Sequence, residues 1–242
     1  MLSIKQCHRK IKILSSLLGL ISSLLIFSAL SQAKSFPNFP PPPFKFERAK
    51  GPLRLWLAEN PSNAELPFWR KSEDLRKKMR EQRWIPVSVS QKNIAKSLIS
   101  YDVKGAGDVH TSMNKAFKIS QNFEKLTEVS ANFKSVFYDE KNHQLFLVLS
   151  ALGFETRMIL AIDQLEFKKR KEIQFEVVWG ELKGLKGAVG FEALDDEYTE
   201  VSILSHYEAE KFPLPKVFMG FAFEVLTQKI AEKMRTFIEF HR

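Results

Sequence analysis

The stretch KVFMGFAFEVLTQKIAEKMRTFIEF, residues 216–240, decides how the rest of the chain is read. Pro213 and Pro215 just before it suit a helix start. Within it Met219, Phe223, Leu226, Ile230, Met234 and Phe237 recur at three- and four-residue steps, which on a helix makes one continuous apolar stripe. Phe221, Val225 and Ile238 widen that stripe. A helix this apolar has to be covered, so the elements before it must supply a face for it to lie on.

Upstream, residues 87–212 contain no proline, as befits a sheet whose ladders need every N–H. Period-two alternation marks strands over 98–103, 133–138, 145–149, 156–165, 173–179, 188–194 and 200–207. Turn signals separate them: residues 139–142 (DEKN), Gly153, Gly184 with Gly187, and Asp195 with Asp196. Gly105-Ala106-Gly107 ends the first strand and reads as a bulge or turn, since it lacks the third glycine of a dinucleotide fingerprint. Two short helices, 111–119 and 123–129, fall between the first and second strands.

The order is therefore strand, two short helices, six strands and one long C-terminal helix. Together with VKGAGDV (103–109), NFEKL (122–126) leading to FKSV (133–136), and LKGLKG (182–187) before FEAL (191–194), it resembles the START-like superfamily, also called SRPBCC or Bet v 1-like. The similarity is to its polyketide-cyclase/dehydrase and coenzyme-Q-binding members, over about residues 97–241. The chain departs from them in lacking a tryptophan near Glu128 and in carrying an N-terminal extension. The resemblance implies an α+β helix-grip fold, in which a curved antiparallel sheet of about seven strands wraps the C-terminal helix. It also implies an apolar cavity between the two for a lipid, quinone, sterol or polyketide.

Alternation assigns the concave face to Leu145, Leu147, Leu149, Met158, Leu160, Ile162, Ile173, Phe175, Val177, Trp179, Val201, Ile203 and Tyr207. The candidate ligand-binding residues are Leu147, Met158, Leu160, Phe175, Val177, Trp179 and Tyr207 on the sheet, with Met219, Phe223 and Leu226 on the helix. Adaptable methionine and broad aromatics suit a lipid chain or flat ring, and Trp179 or Tyr207 could orient it through one polar contact. An ordinary filled core would contain the same residue types. Glu155, Arg157, Gln174, Glu176, Glu200 and His206 are expected to face water.

The motifs of phosphate-loop, serine-nucleophile and metal chemistry are missing, and a catalytic acid or base in the cavity stays open with no spacing that selects one. Residues 180–190 are glycine-rich but carry no Gly-Lys-Ser/Thr ending, and no serine sits in a Gly-x-Ser-x-Gly elbow. His206 and Glu208 share a strand face, but two ligands are too few for a metal centre. The reading names no catalytic residue, no metal and no cofactor.

The N-terminus reads as targeting. Lys5, Arg9, Lys10 and Lys12 precede an uncharged apolar run over 13–30, and Ser31-Gln32-Ala33 offers a cleavage site, so 1–33 is an export signal, with an uncleaved membrane anchor as the alternative. The single cysteine, Cys7, lies within that leader, leaving no disulfide framework. Residues 34–86 form a proline-rich spacer, with five prolines in 37–43, and a basic helical extension over 72–83 that Ser72 caps. Leu75, Met79 and Trp84 would pack that helix down.

Of the formal charge of +9 over 242 residues, the leader carries +4, residues 34–86 carry +6 and residues 87–242 carry −1. A nearly neutral domain gives no support to nucleic-acid binding, and the basic arm reads as a tether to an anionic membrane surface. Three functions fit. The favoured one is an exported, periplasmic or secreted binding or transfer protein for a hydrophobic small molecule or lipid. The alternatives are a cyclase, dehydratase or hydrolase using the same cavity, and a closed interaction module. An enzyme needs a buried carboxylate or histidine on the wall, a binder an almost wholly apolar wall, and a closed module has no cavity.

Overall fold

The structure, a computed structural model, describes residues 67–95, 98–151, 154–209 and 216–242. The leader and the proline-rich spacer lie outside the described residues. Two helices come first, α1 (Phe68–Lys71) and α2 (Glu73–Glu81), followed by strands β1 (Val87–Asn93) and β2 (Ile99–Val109). Helix α3 (Met113–Ser120) and a 3₁₀ turn (Phe123–Lys125) running into α4 (Leu126–Val129) come next. The chain continues through β3 (Phe133–Asp139), β4 (Gln144–Ala151), β5 (Phe154–Glu166), β6 (Arg170–Gly180), β7 (Lys186–Ala193) and β8 (Thr199–Ala209), and ends in α5 (Lys216–Phe240).

All eight strands join one antiparallel sheet in the order β1-β2-β8-β7-β6-β5-β4-β3. Seven of them match the strands read from alternation, and the order of elements is the one expected. The added strand is β1, whose alternation is carried by only Val87 and Val89 before it turns polar. It pairs with β2 from Val87 opposite Gly105 to Asn93 opposite Ile99. Gly105-Ala106-Gly107 is therefore not a turn but the middle of an 11-residue strand. A Cβ on Gly105 would come within 3.1 Å of Val87 Cγ2, and one on Gly107 within 3.1 Å of Ile85 Cγ1. The glycines let the edge segment close over the sheet.

On the concave side, Leu145, Leu147, Met158, Leu160, Ile162, Ile173, Val177 and Phe191 form one buried cluster with Phe117 and Phe123 below and Ile238 of α5 above. The Phe117 and Phe191 rings meet edge to face at 5.5 Å. Helix α5 lies along the β1–β2 side of the sheet.

The convex side corrects two expectations. Asp108, Glu200, Glu192 and Arg170 stand directly opposite one another on β2, β8, β7 and β6, a cross-strand row of three acids and one arginine. Helices α1 and α2 lie over this row. Arg70 Nη2 donates to Glu200 Oε1 and to Glu192 Oε2, both at 2.6 Å, and Arg76 Nη1 donates to Glu200 Oε2 at 2.6 Å. Arg80 Nε reaches Asp108 Oδ2 at 3.2 Å. Trp69 and Met79, each 1% exposed, pack with Ala106 beside the ion pairs.

Glu200, expected in water, is thus 2% exposed because the N-terminal extension covers it, and Gln174 is buried as well. Glu155 is exposed, and Arg157, Glu176 and His206 are half-buried. Ser72 caps α2 by accepting from the Leu75 amide at 3.3 Å, as read from sequence. Four arginines of the basic extension are held by the domain's own acids, Arg70, Arg76 and Arg80 by the cross-strand row and Arg83 by Glu239 of α5. Burial works to raise the Glu192 carboxyl, but hydrogen bonds from Arg70 and Arg170 overcome it and hold it below its ordinary value. Burial prevails at Asp108, which sits above its ordinary value despite Arg76 and Arg80.

A bulge in β6 overturns one more expectation. The β5–β6 register shifts between Ile159 and Leu160, so Leu160 faces Val177 while Ile159 faces Trp179. Val178 is the extra residue, and it reverses the parity of the residues beyond it. Trp179 shares the face of Ile159 and Phe146, the convex one, instead of the concave face that simple alternation assigns.

Candidate ligand cavity

Between the concave sheet and α5 lies a cavity of about 320 Å³. That is at the lower end of the roughly 300–1,000 Å³ of small-molecule sites. Six strands of the central sheet give it Val109, Leu145, Leu147, Leu160, Ile162, Ile173, Phe175, Val189, Val201 and Ile203. Gly105 and Gly107 leave part of its β2 wall without side chains, and Ile85 and Val87 close that edge. Phe123, Leu126 and Phe133 form the opposite end. The lid is the second half of α5, with Thr227, Ile230, Ala231, Met234, Arg235 and Ile238.

Of the ten candidate residues, the structure brings Leu147, Leu160 and Phe175 to this wall. Met158 and Val177 are buried in the same core cluster but off the wall. Trp179 is turned to the other face by the bulge. Tyr207 and Phe223 belong to a separate cluster with Tyr101, whose ring centre is 5.6 Å from that of Phe223. There the Tyr207 hydroxyl donates to the Glu181 carbonyl at 3.4 Å, and burial pushes that phenol up. Leu226 is half-buried and off the wall, and the Met219 side chain lies outside what the structure describes.

The cavity therefore sits under the C-terminal half of the helix, because Tyr101, Tyr207 and Phe223 fill the space under the earlier part. The apolar stripe alone does not reveal this, since it is uniform from Met219 to Phe237. A signal was present in the small residues. Thr227 and Ala231 on α5 and Gly105 and Gly107 on β2 are small and border the cavity, a partial signal because α5 is also small at Gly220 and Ala222 in its first half.

Among the described wall residues, none is a carboxylate, histidine or cysteine, and Arg235 is the one ionisable group. Its Nη1 donates to the Arg83 carbonyl, while Arg83 itself pairs with Glu239. Burial and then the nearby Arg83 weaken the hold of Arg235 on its proton, with Glu239, Glu232 and Asp108 opposing. On the convex face His206 lies 2.7 Å from Asp102 and 3.1 Å from Glu208, but no group of three or more residues able to hold a metal occurs among the described residues.

No protein-family model and no curated protein sequence matches the chain. Solved structures do. A START superfamily protein from Mycobacterium smegmatis superposes with a TM-score of 0.51 at 15% identity, over 58% of this chain and 99% of that one. The chain has the START-like fold. Also similar are a STAR-related lipid transfer protein from Xanthomonas axonopodis (TM-score 0.48, 10% identity, 62% of this chain and 98% of that one) and the Zhui aromatase/cyclase from Streptomyces sp. R1128 (0.48, 10%, 58% and 92%). The START-like superposition spans little more than half of the chain.

Proposed function

We propose that this chain is an exported binding or transfer protein for a hydrophobic small molecule, a lipid, quinone or similar compound, held between the sheet and α5. The observation that carries the reading is the cavity itself, with aliphatic and aromatic side chains over most of its wall. A closed interaction module would have no such space. A cyclase or hydrolase would want an acid or base on the wall, and the described wall residues offer none. Export rests on the leader read in residues 1–33, and contact with an anionic membrane on the basic charge of residues 34–66 and of the lysines on α2.

Uptake of the neutral fluorophore N-phenyl-1-naphthylamine tests the cavity. We expect saturable binding by the native chain. Replacing Ala231, on the lid, with phenylalanine puts a ring into the space and should weaken uptake at least tenfold while the thermal midpoint holds or rises, since filling a void is not in itself destabilising. Uptake unaffected by Ala231→Phe in a folded protein would place the probe elsewhere and overturn the assignment.

A further inference from the structure

Two polar groups break the apolar wall without finding partners. The Nε of Arg235 and the hydroxyl of Ser120 both belong to wall residues, and both are buried with no hydrogen bond. A buried donor left unpaired costs free energy, although the half-buried guanidinium of Arg235 as a whole still meets solvent. The surroundings do not relieve Arg235. Its Nη1 is spent on a neutral carbonyl, that of Arg83. Of the two acids within one turn of the helix, Glu239 gives one oxygen to Arg83 and the other to the His110 amide at 2.9 Å. Glu232 accepts from Gln228 on the outer side of the helix. No ion pair joins Arg235 to a carboxylate among the described residues.

Arg83 itself holds a left-handed backbone, φ 57°, where the chain turns out of α2 towards β1. Its carbonyl and its guanidinium are both engaged by α5, so the turn and the helix keep Arg235 in place. A guanidinium fixed in this way and without an acid partner is the side chain best suited to a carboxylate or other oxyanion.

Resting on the cavity reading above, we infer that the ligand is an acid-headed amphipath, such as a fatty acid, whose apolar body fills the cavity and whose carboxylate is received by Arg235. Ser120 supplies a second polar contact along the same wall. The neutral lipids and hydrocarbons that the remaining wall could hold equally well are the poorer ligands.

The test is displacement of N-phenyl-1-naphthylamine from the full chain by dodecanoate and by 1-dodecanol, which share a chain length and differ in charge. We expect dodecanoate to compete at least about tenfold more strongly, as a half-buried charge-assisted pair should provide. In Arg235→Met, which keeps the length and removes the charge, dodecanol should compete as before and the preference should fall to about one. Arg235→Lys should retain part of it, and serves if the methionine variant does not fold. Equal competition by acid and alcohol in the native chain, or a preference that survives Arg235→Met, overturns the head-group assignment alone. If neither the fluorophore nor either competitor binds, it is the cavity reading that fails.

Discussion

Replacing Glu200 with alanine is expected to lower stability by about 3 kcal/mol, the lower end of what breaking a buried ion pair costs. Glu200 is 2% exposed and is shared by Arg70 and Arg76, so its loss removes the carboxylate that joins them and leaves Arg70 to Glu192 and Arg76 to Asp108. Those arginines are 29% and 26% exposed, which lets water recover part of the loss. For a chain of this size the thermal midpoint should drop by roughly 6–12 °C. The loss should be local as well as global: α1 and α2 should become the first sites cut in limited proteolysis. Replacing Arg70, Arg76 and Glu200 together with Met, Met and Leu should restore most of the midpoint, because an apolar triad carries no stranded charge. A midpoint within about 2 °C of the native value for Glu200→Ala, well short of the shift a buried pair implies, would mean that the extension is not held through the acid row.

A second large effect is expected at Gly180, next to the β6 bulge. Its φ is 110°, a conformation that side chains avoid, and a Cβ there would lie 2.0 Å from the Arg157 carbonyl oxygen. That oxygen belongs to the neighbouring strand and cannot step aside as a side chain could. Gly180→Ala should therefore cost about 3 kcal/mol or more, combining backbone strain with a steric conflict. Gly184 supplies the control, since its φ is 92° but a Cβ would meet nothing within 4 Å. Gly184→Ala should show the conformational part alone, about 1 kcal/mol. Thermal denaturation of the pair measures the difference, and equal losses would show that the strand crossing at Gly180 is looser than described.

The large features of the fold were legible because they repeat. Helix α5 declares itself through a stripe of six apolar positions, and β4 to β8 through alternation sustained over whole strands. What the sequence hid was hidden by single events. One extra residue, Val178, turned Trp179 to the other face, and nothing in a period-two pattern announces a bulge. β1 carries too few apolar residues to stand out, and it becomes a strand because Gly105 and Gly107 let it approach β2. Glu200 looked solvated because its own strand says nothing about a helix that covers it from more than 120 residues away.

The site was legible to the level of a face and no finer. Leu147, Leu160 and Phe175 reach the wall from a face that alternation assigned correctly, whereas Phe223 and Tyr207 fill the other end of it. A uniform apolar stripe cannot say where along its length space is left over. Thr227 and Ala231 are small, but so are Gly220 and Ala222 in the first half of the helix, and Arg235 reads as an ordinary surface arginine would. Only packing shows that its Nε is buried among apolar neighbours without a partner.

The central claim is that the space under α5 holds a hydrophobic ligand, and its most direct test is native mass spectrometry of the protein recovered from the host that makes it, followed by organic extraction. On this claim one bound molecule per chain is expected, with a mass shift that vanishes on extraction and a lipid-like compound in the organic phase. Protein at its bare mass that also fails to take up N-phenyl-1-naphthylamine would contradict it.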